Sequence, residues 1–276
     1  MHSHNVGFCR ARQPAILTGI WGYLMGRTQG KVVNITELRR ACRTCSLQEL
    51  CLPRGLGAED VQRLETIVNL KGPLERGRHL FREGDPFHSI YAVRDGALKT
   101  YSIDADGREH VLGFHLPGEL LGLDAIYPRI NRCSAVSLSN ASVCVLPYER
   151  LSDLAHDVPG LQSQIFRLLS KDLSISVNLA TDHTAEERLA GFLISIAARS
   201  GGGTQLKLMM PRRDIASYLR LATETVSRLL ARFQQQGYIE VHRKNLQLLK
   251  VDELRELGGS FELTGLASSL RRPLRG

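Results

Sequence analysis

The chain has 276 residues, 43% hydrophobic and 23% charged, an ordinary soluble composition with length enough for two cored domains. Its net charge of +8 is concentrated: from position 199 to 250 ten Lys and Arg face three acids, a difference of +7 that points to a polyanionic partner. No run reaches the roughly 18 apolar residues of a membrane span, and the apolar stretch at 15–25, though preceded by Arg10 and Arg12, is followed by no small-residue cleavage site, which argues against export.

Residues 1–41 carry no cap, no period and too few apolar residues for a domain, and read as a disordered extension. Met25 is a candidate translation start, which would leave Trp21, the only tryptophan, out of the product. Residues 36–40 begin a short helix that delivers Cys42. Cys42, Cys45 and Cys51 then follow with C-x2-C-x5-C spacing. Thiolates this close in sequence converge readily on one soft-metal centre, which wants a fourth ligand from Cys9, Cys133 or Cys144. Zinc and iron–sulfur both fit the spacing, and three inert thiols are the plain alternative. A DNA-binding chain works in a reducing cytoplasm, which disfavours disulfides.

A helix over 58–68 shows Val61, Leu64, Ile67 and Val68 on one face. From 70 to 147 short apolar runs alternate between turn signals, with Gly77, Gly84, Gly96, Gly107 and Gly118 at near-even intervals. That spacing predicts a small antiparallel barrel or jelly roll, with 104–107 as one of its turns. Cys133 lies in a polar loop beside Arg132, where the charge favours a reactive thiolate. Helical period runs from 151 past Pro159 to about 180. Its second helix has two apolar stripes. One holds Leu161, Ile165, Leu168, Asp172, Ile175 and Leu179; the other holds Phe166, Leu169, Leu173, Ser176 and Ala180. Steps of three and four on both stripes predict packing on two sides, one against the barrel and one against a second subunit.

A helix over 186–198 ends at the glycines 201–203. Residues 212–219 and 223–235 then read as a helix-turn-helix: Val226, Leu229, Leu230 and Phe233 face inward at i, i+3, i+4, i+7. The outward positions of the second helix are Thr223, Glu224, Ser227 and Arg228, with Arg232 one turn on; such residues meet base edges in the major groove. Residues 237–242 and 246–249 form the two strands of a wing. Arg212, Arg213, Arg243 and Lys244 supply phosphate contacts.

Four motifs together resemble the CRP/FNR family of bacterial transcription regulators, and within it the FNR-type oxygen sensors. They are C-x2-C-S-L-x3-C-L-P at 42–53, G-F-H-L-P-G-E-L at 113–120, A-E-E-R-L at 185–189 and E-T-V-S-R-L-L at 224–230. The resemblance implies an α+β chain: a cyclic-nucleotide-binding-like antiparallel β-roll, a long dimerisation helix and a C-terminal winged helix-turn-helix. It divides the chain into the extension at 1–41, a cluster-binding loop at 42–57, the β-roll at 58–150, the dimerisation helix at 151–182, the DNA-binding domain at 183–250 and a tail at 251–276. It also implies an oxygen-labile 4Fe–4S cluster on Cys42, Cys45, Cys51 and Cys144, the last in a family-like V-C-x-x-P context. A cytoplasmic homodimer would then bind a TTGAT-type inverted repeat in double-stranded DNA through Glu224, Ser227 and Arg228, with RNA polymerase as a partner. The chain departs from the family at Arg220, where Gly is usual in the turn and a left-handed residue costs about 1 kcal/mol. It departs again at Ala222, where a Ser or Thr cap worth roughly 1 kcal/mol is usual, and at Ser176, where an acid is usual in the dimer seam. Two other readings remain. Gly118-Glu119-Leu120 with Arg132-Cys133-Ser134-Ala135 echoes a cyclic-nucleotide phosphate cassette, and His110 with His115 is the closest approach to a cupin-like metal set.

Overall fold

The computed structural model describes residues 42–43, 45–259, 261 and 263. The extension with Cys9, Trp21 and Met25, the helix expected at 36–40 and the last residues of the tail lie outside the described residues.

Helix α1 (Ala58–Ile67) leads into eight short strands: β1 (Asn69–Leu74), β2 (His79–Phe81), β3 (Ser89–Asp95), β4 (Leu98–Ile103), β5 (Glu109–His115), β6 (Leu120–Leu121), β7 (Ser134–Ser137) and β8 (Ala141–Pro147). They pair antiparallel into two sheets, ordered β1-β8-β3-β6 and β2-β7-β4-β5. Alternating side chains let β3 and β8 serve two cores. Val93 and Val143 pack inward with Leu80, Phe81, Leu98 and Leu121, between the sheets. Ile90, Ala92 and Leu146 point the other way, under α1 and the helices that follow. The β-roll expected from the even strand spacing is therefore present.

The helical stretch expected from 151 is two helices. Helix α2 (Tyr148–Asp157) buries Leu151, Leu154 and Ala155 against the outer face of the roll. Val158 breaks the chain in an extended conformation, and Pro159 starts α3 (Pro159–Ala180) at the position where a missing N–H costs nothing. Only α3 carries the two-stripe pattern.

The C-terminal region holds α4 (Ala185–Arg199), β9 (Gln205–Lys207), α5 (Arg212–Leu219), α6 (Thr223–Gln235), β10 (Ile239–His242), β11 (Asn245–Leu248) and α7 (Val251–Gly258). Thr184 and Glu187 close a capping box at the start of α4. The wing has a third strand, because β9 pairs with β11 through Leu206 and Leu246. The tail expected from 251 is corrected: α7 packs on α4, and Phe261 and Leu263 are buried in the same core. The close approach needs glycine, since a Cβ on Gly191 would lie 2.4 Å from the Phe261 carbonyl oxygen. Among the described residues no helix is long and apolar enough to cross a membrane.

The winged region is docked on β5 by apolar and ionic contacts together. Val111, Phe114 and Leu116 join its core, with Phe114 edge-on to Phe192 and Tyr218. Lys99 on β4 reaches Asp214 on α5 at 2.8 Å, with both side chains buried. Arg199, at the end of α4, forks onto Glu119 at 2.7 and 2.6 Å. Removing one member of such a pair strands a buried charge, which costs about 3–5 kcal/mol. Urea unfolding should therefore show Arg199→Ala destabilised by that amount, with the Glu119→Gln, Arg199→Ala double variant regaining part of it. A single variant within ~0.5 kcal/mol of wild type would mean that the two regions do not dock this way in solution.

Candidate metal centre and nucleic-acid interface

The residues from 42 to 57 form a chain of tight turns rather than a helix. Glu65 on α1 holds its start: the carboxylate accepts from the Cys42 amide at 3.1 Å, the Arg43 amide at 2.6 Å and Arg43 Nε at 2.9 Å. Glu65 is only 7% exposed, so these charge-assisted bonds form largely out of water. Gln48 Nε2 donates to the Cys42 carbonyl, and the amides of Leu50 and Cys51 both close on the Leu47 carbonyl at 3.0 Å. The end of the segment is tied to the base of α3, where the buried Gln164 side chain donates to the Cys51 carbonyl at 3.2 Å. Gly118 lets the loop lie flat on the roll; a Cβ there would meet Leu50 Cβ at 2.7 Å.

This docking gathers Cys42, Cys45, Cys51 and Cys144 around one pocket, otherwise walled by apolar side chains such as Leu52, Leu64, Ala92 and Leu146. Cys144 arrives from β8 directly opposite Ala92 of β3, on the outer face of the sheet. Burial pushes the Cys42 and Cys51 thiols up to about 12, with the neighbouring thiols adding to it. Burial also raises Cys144, while the Arg94 guanidinium beside it pulls the other way. Thiols in this state become ligands only when a metal displaces their protons. Among the described residues no three thiol, imidazole or carboxylate groups close on a single-ion site. The four thiols ring the pocket instead of meeting at a point. The donor set is soft, and one further group in the pocket favours an anion: among the described residues, Arg94 Nη1 is buried with no hydrogen-bond partner. The residues present thus fit a polynuclear, thiolate-held centre of net negative charge.

Cys133 is elsewhere. It is 4% exposed inside the roll, its Sγ lies 3.8 Å from Asp124 Oδ2, and burial followed by that carboxylate pushes its thiol up to about 12. The expectation of a reactive thiolate in a polar loop is overturned. Arg132 is exposed, but the Cys133 side chain turns into the apolar interior, away from it.

The phosphate-cassette echo is also taken up internally. Glu119 is bound by Arg199, which with Lys171 holds its carboxyl down at about 2 despite burial, and Ser134 Oγ accepts from the Glu83 amide. His110 pairs with Asp104 at 2.7 Å. His115 lies apart, bonded to Leu120 O and Thr100, and burial lowers it to about 4. The two histidines do not converge.

On the other face of the molecule α5 and α6 form the helix-turn-helix. Arg220 sits left-handed at φ 56°, and the Ala222 cap makes no side-chain bond, as the two departures imply. Val226, Leu229, Leu230 and Phe233 are buried, which leaves Thr223, Glu224 and Arg228 exposed and Ser227 half-buried at the start of α6. Arg232, one turn on, is half-exposed and pairs with Glu186 on α4 at 2.7 Å. Arg212 and Arg213 are exposed on α5, the latter 3.4 Å from Asp214. Arg212, Arg243 and Lys244 line a second cavity of about 160 Å³ together with Arg76, from the turn between β1 and β2. Arg76 carries no local sequence signal; only the docking of the two regions brings it there. On α3, Phe166, Leu173 and Val177 are 61%, 66% and 55% exposed. Leu169 is half-buried, and Ser176 and Ala180 are exposed. Val177 joins the stripe that the sequence pattern traced without it.

A β-roll whose outer face carries a helix pair, followed by a winged helix-turn-helix, defines the architecture of a DNA-binding transcription regulator. Residues 72–157 match the cyclic nucleotide-binding domain, and residues 187–257 the Crp-like helix-turn-helix domain. The chain is 44% identical to the transcriptional activator protein anr of Pseudomonas aeruginosa, over 83% of this chain and 97% of that one. It is 37% identical to the anaerobic regulatory protein of Haemophilus influenzae, over 88% and 95%. The solved structure of FixK2 from Bradyrhizobium japonicum matches with a TM-score of 0.63 at 27% identity, covering 70% of this chain and 97% of that one. The chain belongs to the CRP/FNR family of DNA-binding transcription regulators.

Two substitutions separate base reading from backbone affinity. Arg228→Ala should cost about 1–3 kcal/mol on the matching half-site and flatten base preference there. Lys244→Ala should weaken all sequences alike and lower the salt slope. Binding isotherms at several salt concentrations distinguish them, and equal loss on specific and nonspecific DNA for Arg228→Ala would displace α6 from the recognition role.

Proposed function

We propose that this chain is an oxygen-responsive regulator of anaerobic gene expression that binds DNA as a homodimer. The observation that carries the reading is the pocket ringed by Cys42, Cys45, Cys51 and Cys144, at the base of the helix with an exposed apolar stripe. Relatives named as anaerobic regulators, similar over nearly their whole length, support it. When bound, a 4Fe–4S cluster supplies an oxygen-reactive centre whose thiolate bonds span the loop and the sheet.

The chain's own residues translate that state into DNA affinity. Cys42, Cys45 and Cys51 hold one side of the pocket and Cys144 the other, so an intact centre fixes the loop on the roll. The fixed loop presents the Cys51 carbonyl to Gln164 and Leu56 to Gly160, whose first turn starts α3. Held there, α3 offers Phe166, Leu169, Leu173, Ser176, Val177 and Ala180 to the same stripe of a second copy. Pairing sets two α6 helices about one DNA turn, roughly 34 Å, apart on an inverted repeat. Glu224, Ser227 and Arg228 read a TTGAT-type half-site; Arg212, Arg213, Arg243 and Lys244 hold phosphates. A monomer keeps half of these contacts and binds weakly. The bound dimer acts in the cytoplasm through RNA polymerase.

Protein purified without oxygen should contain iron and acid-labile sulfide and no zinc. Cys144→Ala should be colourless, iron-poor and monomeric, whereas Cys133→Ala should keep its colour, iron, dimer fraction and oxygen response. Zinc without sulfide in the wild type would replace the oxygen-sensor reading by a structural metal site. Iron lost with Cys133 and kept without Cys144 would move the fourth ligand.

A further inference from the structure

The β3 strand places Arg94 two residues beyond Ala92, on the same outer face of the sheet and diagonal to Cys144. Its guanidinium enters the thiol pocket, and among the described residues lining that pocket it is the only charged side chain. Nη1 is buried and, among the described residues, has no acceptor. An arginine cannot shed its proton to relieve this, and a buried charged donor without an acceptor costs at least ~1–3 kcal/mol. An apolar residue would fill the same wall without that cost. Packing of the arginine stem explains its carbons and leaves the buried nitrogen unexplained.

We propose that Arg94 is a positioning residue for the metal centre. Its Nη1–H donates to sulfur of the anionic group held by the four thiolates, and its charge offsets part of that group's negative charge. The inference rests on the functional reading above. Four thiolates bring four negative charges into an apolar pocket, more than an iron–sulfur core neutralises, so a cation and a sulfur-directed hydrogen bond stabilise the assembly. Both effects favour the more reduced form, in which the negative charge is greater. Removing them should make the centre harder to reduce and easier for oxygen to attack.

Wild type, Arg94→Lys and Arg94→Gln are purified without oxygen as full chains. Iron and sulfide per chain, the visible spectrum, the reduction potential and the half-life of the visible band in air-saturated buffer are then measured. The expected result is a full complement of iron and sulfide in all three. Arg94→Gln should have a more negative potential, a shifted visible band and a half-life in air shortened about tenfold, and Arg94→Lys should fall between it and the wild type. Failure of Arg94→Gln to hold iron, with loading restored in Arg94→Lys, also supports the proposal, because charge is then what the site requires. Full loading of Arg94→Gln with an unshifted potential, spectrum and half-life overturns it. So does iron loss in both variants, since lysine keeps the charge. A wild type without iron and sulfide refutes the functional reading itself, and this inference with it.

Discussion

The Glu65 carboxylate is the contact on which the rest depends. A turn-rich segment with three cysteines has little reason to stay in place. It buries a few apolar side chains, chiefly Leu52, and gains no ladder of backbone hydrogen bonds. Glu65 supplies what the segment lacks: one buried carboxylate takes three donors from its first two residues. Without it, ordering some ten residues at about 1–2 kcal/mol of conformational entropy each would rest on Leu52, the apolar wall and the Gln164 bond to the Cys51 carbonyl. With it, Cys42 is fixed on the same pocket as Cys144, and the remaining thiols follow through short turns.

That anchoring also links the pocket to the long helix. The loop is held at its start by Glu65 of α1, and around Leu50 and Cys51 by Gly118 of the roll and Gln164 of α3. In the proposed function, metal–thiolate bonds across the pocket would add to these contacts, so that the loop is ordered more tightly when they form and less tightly when they break. The DNA-binding region, by contrast, is docked firmly through Lys99–Asp214 and Glu119–Arg199. In the proposed function this division places the changeable contact at the base of α3 and keeps the recognition helix on a rigid base.

Elements governed by local period were legible in the sequence. The bounds of α5 and α6, the strained Arg220 and the uncapped Ala222 follow from neighbours within one or two turns. The β-roll was legible from spacing, though not its register, and so Cys144 could be chosen over Cys133 only by resemblance. In the structure register separates the two: pairing with Ala92 turns Cys144 outward, toward the pocket that Cys42, Cys45 and Cys51 line, while Cys133 points into the interior despite its polar neighbours. Strand β9 has no clear sequence signal because it is three residues long with one apolar side chain, and α7 because its packing depends on its own Gly258 meeting the distant Gly191. Glu65, Arg94 and Gln164 are ordinary helix and strand residues until the loop is laid across them. Nothing local to α6 reveals the pairing of Arg232 with Glu186.

The account turns on the link between loop and helix, which Gln164→Leu cuts while leaving all four cysteines and Glu65 intact. The decisive measurement is the dimer dissociation constant of this variant by sedimentation without oxygen, with iron determined on the same sample. Iron equal to wild type with dimerisation weakened about tenfold, roughly 1.4 kcal/mol, is the predicted result. Wild-type dimerisation at wild-type iron would contradict it, and the coupling would have to run by another route.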